Sequence, residues 1–465
     1  MVWNLPSRSA MIIEMNELIT PEDMYRADST AIRNGRPIEQ LINAAGRAVG
    51  EEILRRFGAR RVVVLAGPGN KGRDGKAAAL FLKDCGWQVR VSDDIGDAEL
   101  IIDAMFGAGL NRDFSSSLSE KINGAGVPVI AIDIPSGIDG LTGQVRGAAV
   151  KADLTVTFFR KKPGHVLMPG RAYCGEVVLA DIGMGEIELD GLTILQRENS
   201  RPVLPRFGAA AYKFSKGHAV VVSGGALQTG ASRLSAMAAL KIGAGLVTVA
   251  GKADALKIHA SHVCAVMLVE AKDAKSLSKL LKDKRKNAVC IGPAAGVGQG
   301  TRSAVKVVLA SDVACVLDAD ALTSYAARPG ELFSMIAKQG TGPVVLTPHE
   351  GEFAKLFPGI LNSSKVERAR QAAMLSGAVV LLKGADTVIA HPDGRAVVNT
   401  NAPPALATAG SGDVLAGIIT GLLAQGMDGF KAACAGAWLH GEAANLIDRD
   451  HLTAEDLVLV LGQVS

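Results

Sequence analysis

Short, almost wholly apolar runs alternate along this chain with segments whose apolar residues recur every three to four positions. A strand buried on both faces needs a continuous apolar run, and a helix that covers it needs one apolar stripe. The alternation therefore predicts parallel sheets sandwiched by helices, an α/β class. In the first half the runs place strands at 61–66, 87–92, 99–103, 127–134, 153–159 and 176–181, with helices around 21–34, 37–57, 76–85 and 115–124. The pattern restarts at HAVVVSGG (218–225), a helix through 230–242 and LVTVAG, and continues through AVCIGP, ACVLDAD, PVVLTP and AVVLLKG. A hairpin at 379–398 turns on PDG, with Gly where positive φ is needed, and helices at 412–425, 430–446 and 453–462 close the chain.

At 465 residues the chain exceeds one ordinary core. The polar stretch QRENSRP, followed by LPRFGAAAYKFSKG (204–217), sets the expected domains at 1–203 and 204–465. A formal charge of +4 with no basic tract argues against nucleic acid as a partner. No run is apolar and long enough to span a bilayer, and the opening MVWNLPSRSAMII lacks the pattern of a signal peptide. Six scattered cysteines suit buried, reduced thiols in a cytoplasmic protein.

The most informative segment is TAGSGDVLAG (408–417). Gly410, Ser411 and Gly412 let several backbone N–H groups face one point at a helix N-terminus, which favours a developing negative charge. Asp413 then lies in the first turn, placed to take a proton from a hydroxyl whose oxygen attacks phosphorus. The tripeptide alone fits equally a carboxylate that only caps the helix. LLKGADT (381–387) ends a strand with Lys383, Gly384 and Thr387, donors suited to nucleotide phosphates. TPHEGE (347–352), VLDADAL (316–322) and IGPAAG (291–296) end three more strands with polar groups, at the edge where open α/β sheets bind ligands.

These motifs, with GAGLVTVA and NAPPALATAGSGDVLAG, resemble in order the ribokinase-like ADP- or ATP-dependent NAD(P)H-hydrate dehydratases over roughly residues 205–465. The resemblance implies a substrate, NADH or NADPH hydrated on the nicotinamide ring (NADHX, NADPHX), whose ring hydroxyl is phosphorylated and then lost as phosphate. It assigns Lys383, Gly384, Ala385, Asp386, Thr387 and Gly412 to the nucleotide, Ala231, Gly296, His349 and Asp413 to the hydrate, and the base role to Asp413. His349 also fits a structural histidine at a strand end, and His440, amid apolar helix residues, reads as packing. Thr323 stands where the family usually has Asn after DAL. ADP is expected over ATP, with Mg²⁺, small molecules as the partners, and a homo-oligomer. A small-molecule kinase of the same superfold, acting on a vitamin-precursor alcohol, is the competing class.

In the first half, AIDIPSGIDGLTG (131–143), IIDAMFGAGLNR (101–112) and GPGNKGRDG (67–75) resemble the Rossmann-like NAD(P)H-hydrate epimerases, which interconvert the R and S hydrates. The resemblance implies Asp133 as acid/base, with Asn70, Lys71, Gly72, Arg73, Asp74, Gly107, Ala108, Gly109, Leu110, Asn111 and Arg112 around the hydrate. It also implies a potassium ion on Asp103, Ser136 and an Asn, but the Asn position holds Lys71, whose ammonium is expected against Asp103 as a replacement for the ion. Arg73 stands where the family has Gly, at a cost if that position needs positive φ or close backbone approach. The stretch from Asp74 to Asp103 is shorter than the family pattern, as if a βα element were missing. Three readings follow: a working epimerase, an inactive fold kept as support for the dehydratase or its oligomer, and a domain turned to another ligand or partner. The altered loop and the shortening together point toward impaired epimerisation.

Overall fold

The computed structural model describes residues 16–110, 112–114, 117–338, 340, 342–361 and 364–464; the opening segment and Asn111 lie outside the described residues. Two compact units part between Glu198 and Asn199. The first carries helices α1 (Pro21–Arg33), α2 (Ile38–Arg56), α3 (Asn70–Asp84), α4 (Ser117–Asn123) and α5 (Gly170–Tyr173). Its strands are β1 (Arg61–Ala66), β2 (Gln88–Val91), β3 (Leu100–Ala104), β4 (Val129–Ile132), β5 (Leu154–Phe158) and β6 (Glu176–Ala180), with a short β7 (Gln196–Glu198) bridged to Glu17. β1 to β6 form one parallel sheet in the order 2-1-3-4-5-6, and its apolar strands bury side chains on both faces. The order reverses between β1 and β3, which opens a crevice at their C-terminal ends.

The strands fall where the apolar runs place them, but α3 starts six residues earlier than expected. GPGNKGRDG is therefore mostly helix, entered at Asn70 after an extended Gly69. Its glycines read as loop signals, yet they serve packing. A Cβ on Gly72 would overlap the Gly67 carbonyl, and one on Gly75 would lie 2.5 Å from the Ala104 Cβ. Between β2 and β3 the chain returns through residues 92–99 with no helix. β2 and β3 flank β1 on its two sides, so this return passes β1 without a covering helix. The six-stranded sheet is continuous on either side of this helix-free stretch.

The second unit carries β8 (His218–Val222), β9 (Leu246–Gly251), β10 (Met267–Glu270), β11 (Ala288–Ile291), β12 (Ala314–Leu317), β13 (Val344–Leu346), β14 (Val379–Leu382), β15 (Val388–Ala390) and β16 (Ala396–Val398). They run in the order 10-9-8-11-12-13-14-15-16, parallel as far as β14 and antiparallel beyond it. The expected single hairpin at 379–398 is in fact two turns, one at Lys383–Thr387 and one on PDG. Its helices are α6 (Thr229–Lys241), α7 (Ala253–Ala260), α8 (Ala274–Leu281), α9 (Gln299–Leu309), α10 (Ala319–Thr323), α11 (Pro329–Ala337), α12 (Glu350–Leu356), α13 (Lys365–Ser376), α14 (Ser411–Ala424), α15 (Gly429–Ile447) and α16 (Ala454–Val464). α14 packs so closely on α6 that a Cβ on Gly417 would overlap the Ser235 carbonyl. That contact fixes the height of the α14 N-terminus above the sheet edge.

Among the described residues no helix is long and apolar enough to cross a membrane. All six cysteines are free, but only Cys174, Cys290 and Cys315 are buried; Cys85 and Cys264 are exposed, against the expectation of uniformly buried thiols.

Candidate functional sites

In the first unit a pocket of about 640 Å³ opens at the β1/β3 reversal, where the sheet topology calls for a ligand. Asp133 follows β4 at its floor, buried, with a φ of 71° that a non-Gly residue rarely adopts. Both of its carboxylate oxygens meet ammonium groups. Lys162 Nζ donates to Oδ1 at 2.8 Å, and Lys71 Nζ lies 3.7 Å from Oδ2. Thr157 donates to Oδ1 at 3.1 Å and the Ala108 N–H to Oδ2 at 3.3 Å. Burial alone would raise the carboxyl; Lys162 and Lys71 reverse that and hold it well below the usual carboxylate range. Burial also pulls the Lys162 ammonium below its ordinary value, despite Asp133. His165, hydrogen-bonded to the Asp133 carbonyl at 2.6 Å, is pushed down to about 4 by burial and then by Lys162, so it stays neutral.

Of the residues expected around this pocket, Asn70, Lys71, Asp74, Gly107, Ala108, Gly109, Leu110, Arg112 and Asp133 line it. Gly72 and Arg73 do not. Because α3 is already helical there, residues one and two beyond Lys71 face away from the side it presents. Gly72 is buried against Gly67, and Arg73 turns outward to pair with Glu39 at 3.0 Å. Arg73 is not a positive-φ residue and so carries neither of the costs anticipated for it. Lys71 does not sit against Asp103 as expected; its partners are Asp74 at 3.1 Å and Asp133. Asp103 instead accepts the Ser136 hydroxyl at 2.6 Å and the Ser136 N–H at 2.8 Å.

Sequence reasoning missed two charged residues of the pocket. Lys162 follows β5 at the same sheet edge as Asp133, and that position was the available signal. Asp28, on α1, lines the pocket and is pushed up to about 6 by burial. Nothing in its local sequence marks it.

In the second unit the end of β14 and the start of α14 bring Lys383, Gly412 and Asp413 together. Lys383 ends β14 and donates to Asp318 at the end of β12 at 2.8 Å, while Thr347 donates to the same oxygen at 2.8 Å. Gly412, at the start of α14, lies beside that ammonium: a Cβ there would be 3.5 Å from Lys383 Nζ. Burial would lower Lys383, but Asp318 and Glu352 outweigh it and raise the group, keeping it charged. In the KGADT turn Thr387 closes back on Gly384, accepting its N–H at 3.1 Å, which leaves Gly384 and Ala385 exposed at the tip. Asp386 is buried and tied to Lys365 at 2.6 Å, and so faces away from a ligand at that tip.

Gly410, in the left-handed region at φ 83°, turns the chain into α14. The N–H groups of the first turn have no intrahelical acceptors. Asp413 projects from that turn, half-buried, and makes no cap hydrogen bond to its helix. Burial, then Asp318 and Asp320, push its carboxyl up to about 6, with Lys383 opposing. His440 is buried behind Ser411, 3.1 Å from its hydroxyl, and is pushed down to about 4 by burial.

His349 caps α12, its Nδ1 accepting the Gly351 N–H at 2.9 Å, while 59% of the side chain stays exposed. Gly296, at φ 84°, donates its N–H to Asp320 at 2.8 Å and lines a pocket of about 610 Å³ at the β8/β11 reversal. Ala231 lies in the first turn of α6; neither it nor His349 lines that pocket. No three His, Cys, Asp or Glu side chains among the described residues converge on a metal position.

Residues 219–463 match the family described as NAD(P)H-hydrate dehydratase, and residues 38–96 and 91–164 match the YjeF-related protein N-terminus. The second match breaks where the chain passes from β2 to β3 without a helix. The bifunctional NAD(P)H-hydrate repair enzyme Nnr of Moorella thermoacetica is 34% identical over 92% of this chain and 92% of its own.

The chain belongs to the bifunctional NAD(P)H-hydrate repair enzyme family.

The repair enzyme Nnr of Mycobacterium leprae is 37% identical over 86% of this chain and 80% of its own length. The ADP/ATP-dependent NAD(P)H-hydrate dehydratase of Bacillus subtilis, co-crystallised with ATP/Mg²⁺, is 29% identical over 56% of this chain and 93% of that chain, with a TM-score of 0.48. The first unit is Rossmann-like and the second ribokinase-like.

Proposed function

We propose that the chain repairs hydrated nicotinamide dinucleotides, with ADP-dependent dehydration of the S hydrate in the second unit and R/S epimerisation in the first. The observation that carries the dehydratase reading is Asp413, held without a capping bond at the positive end of α14 beside Lys383 and Gly412. A carboxyl at about 6 is ionised at neutral pH yet basic enough to accept a proton. It takes the proton of the C6 hydroxyl as that oxygen attacks the β-phosphorus of ADP, and AMP leaves. Lys383 and the first-turn N–H groups of α14 stabilise the charge that spreads over the transferring phosphoryl. Phosphate then departs from C6, pushed by the ring nitrogen, and loss of a C5 proton regenerates NAD(P)H. Hydroxide is a poor leaving group and phosphate a good one, which is why a nucleotide is consumed. Mg²⁺ would need no protein cage here: carried on the nucleotide phosphates, it would take one or two carboxylates and would neutralise phosphate charge.

Epimerisation fits the first pocket. Neither sequence fault obstructs it: Arg73 points outward, and the shortened stretch 92–99 does not line the pocket. Breaking the C6–N1 bond as the hydroxyl proton leaves gives an open aldehyde; closure on its other face gives the second epimer. Asp133, kept ionised but a weak base, orients the hydroxyl and takes its proton only in passing, handing it to Lys162, whose Nζ lies 2.8 Å away, as that lysine protonates N1. The Lys162 ammonium, weakened by burial, supplies a proton to N1.

The test is Asp413→Asn. Turnover of S hydrate, read as recovered near-ultraviolet absorbance of reduced nicotinamide, is expected to fall by about 10²–10⁴-fold while ADP affinity changes little. Unchanged turnover removes Asp413 from the base role.

A further inference from the structure

The potassium ion that the resemblance implies would draw oxygen lone pairs from Asp103, Ser136 and an Asn at position 71, and this chain does not offer that set. Lys71 carries only donors. Asp103 already accepts from the Ser136 hydroxyl at 2.6 Å, the Ser136 N–H at 2.8 Å and the Met105 N–H at 3.2 Å. The Ser136 hydroxyl accepts the Phe106 N–H at 2.9 Å in turn. The loop after β3 is thus tied to Asp103 and Ser136 by direct hydrogen bonds.

On the other side of that loop lies the Lys71 side chain. Its stem passes Gly107 so closely that a Cβ there would sit 2.7 Å from Lys71 Cγ. Its ammonium lies 3.1 Å from Asp74, 3.7 Å from Asp133 and 5.1 Å from the centre of the Phe158 ring, an arrangement that attracts a cation on three sides. With Lys162 on the other oxygen of Asp133, a further cation beside this pair meets like charge.

We propose that the Lys71 ammonium is a covalently attached replacement for a monovalent cation, so that the first pocket is electrostatically complete without K⁺. This rests on the epimerase reading for its kinetic consequence only. The test compares the full chain with Lys71→Asn and Lys71→Met in potassium chloride and in choline chloride at equal ionic strength. Both R-to-S conversion and thermal midpoint are measured.

Wild type is expected to convert at the same rate within twofold in both salts, with the same midpoint. Lys71→Asn, which restores an oxygen ligand, is expected to run at least tenfold faster in potassium and to gain several degrees in midpoint there. Lys71→Met, with neither charge nor ligand, is expected to lose at least tenfold in both salts. A wild type that potassium accelerates tenfold or stabilises as much as it does Lys71→Asn overturns the proposal. So does a Lys71→Asn variant indifferent to potassium, or a Lys71→Met variant at full rate. If no protein converts R to S in any salt, the epimerase reading fails, and the midpoints still decide the cation replacement.

Discussion

Asp413 and Asp133 are both carboxylates at sheet edges, but their surroundings drive them in opposite directions. Asp133 has an ammonium on each oxygen and stays ionised; Asp413 has burial and two nearby carboxylates, and sits at about 6. For a base that must be ionised to act, this sign fixes the pH dependence. Dehydration is expected to rise with pH through about 6 and level off above it, as kcat/KM in a buffer series shows. Asp320 contributes to the upward shift, and Asn keeps an oxygen for the Gly296 N–H, so Asp320→Asn is expected to move that limb to lower pH. A limb that stays in place or moves up contradicts the assignment. Lys383 and Asp133 were legible in the sequence because each directly follows an apolar strand run, and Asp413 because a Gly-Ser-Gly turn opens an apolar helix just before it. Lys162 lies four residues beyond its strand, and Asp28 comes from a helix far back in the chain, so only the fold brings them to the pocket.

At the scale of elements, strand positions were readable because a fully buried strand leaves an unbroken apolar run. Helix starts were less so. GPGNKGRDG carries four glycines, and glycine signals either a turn or a close approach; here Gly72 and Gly75 are close approaches inside α3. The turn at Lys383–Thr387 was hidden for a related reason, since KGADT splits what reads as one hairpin into two short arms. Gly417 is the element-scale device on which the dehydratase site depends. Gly417→Val inserts a branched side chain into the Ser235 backbone, and is expected to cost about 1–3 kcal/mol by overpacking. Urea unfolding measures that loss, and a variant as stable as wild type means the α6–α14 contact does not set the α14 position.

At the scale of the molecule, each unit places its ligand groups at the C-terminal edge of a parallel sheet and opens a pocket where its strand order reverses. That regularity is why the class and the fused domain types could be read from sequence, while the contents of the first pocket could not. The two chemistries complement each other: one consumes a single epimer, and the other resupplies it. The most direct measurement gives the full chain an R/S mixture of hydrate with ADP and follows the near-ultraviolet absorbance of reduced nicotinamide, beside Asp133→Asn. Wild type is predicted to recover the absorbance of the whole mixture, with one AMP and one phosphate released for each dinucleotide. Asp133→Asn is predicted to recover the S fraction rapidly and the remainder only at the uncatalysed rate. A phosphorylated product that accumulates with no absorbance, or an Asp133→Asn trace identical to wild type, contradicts the account.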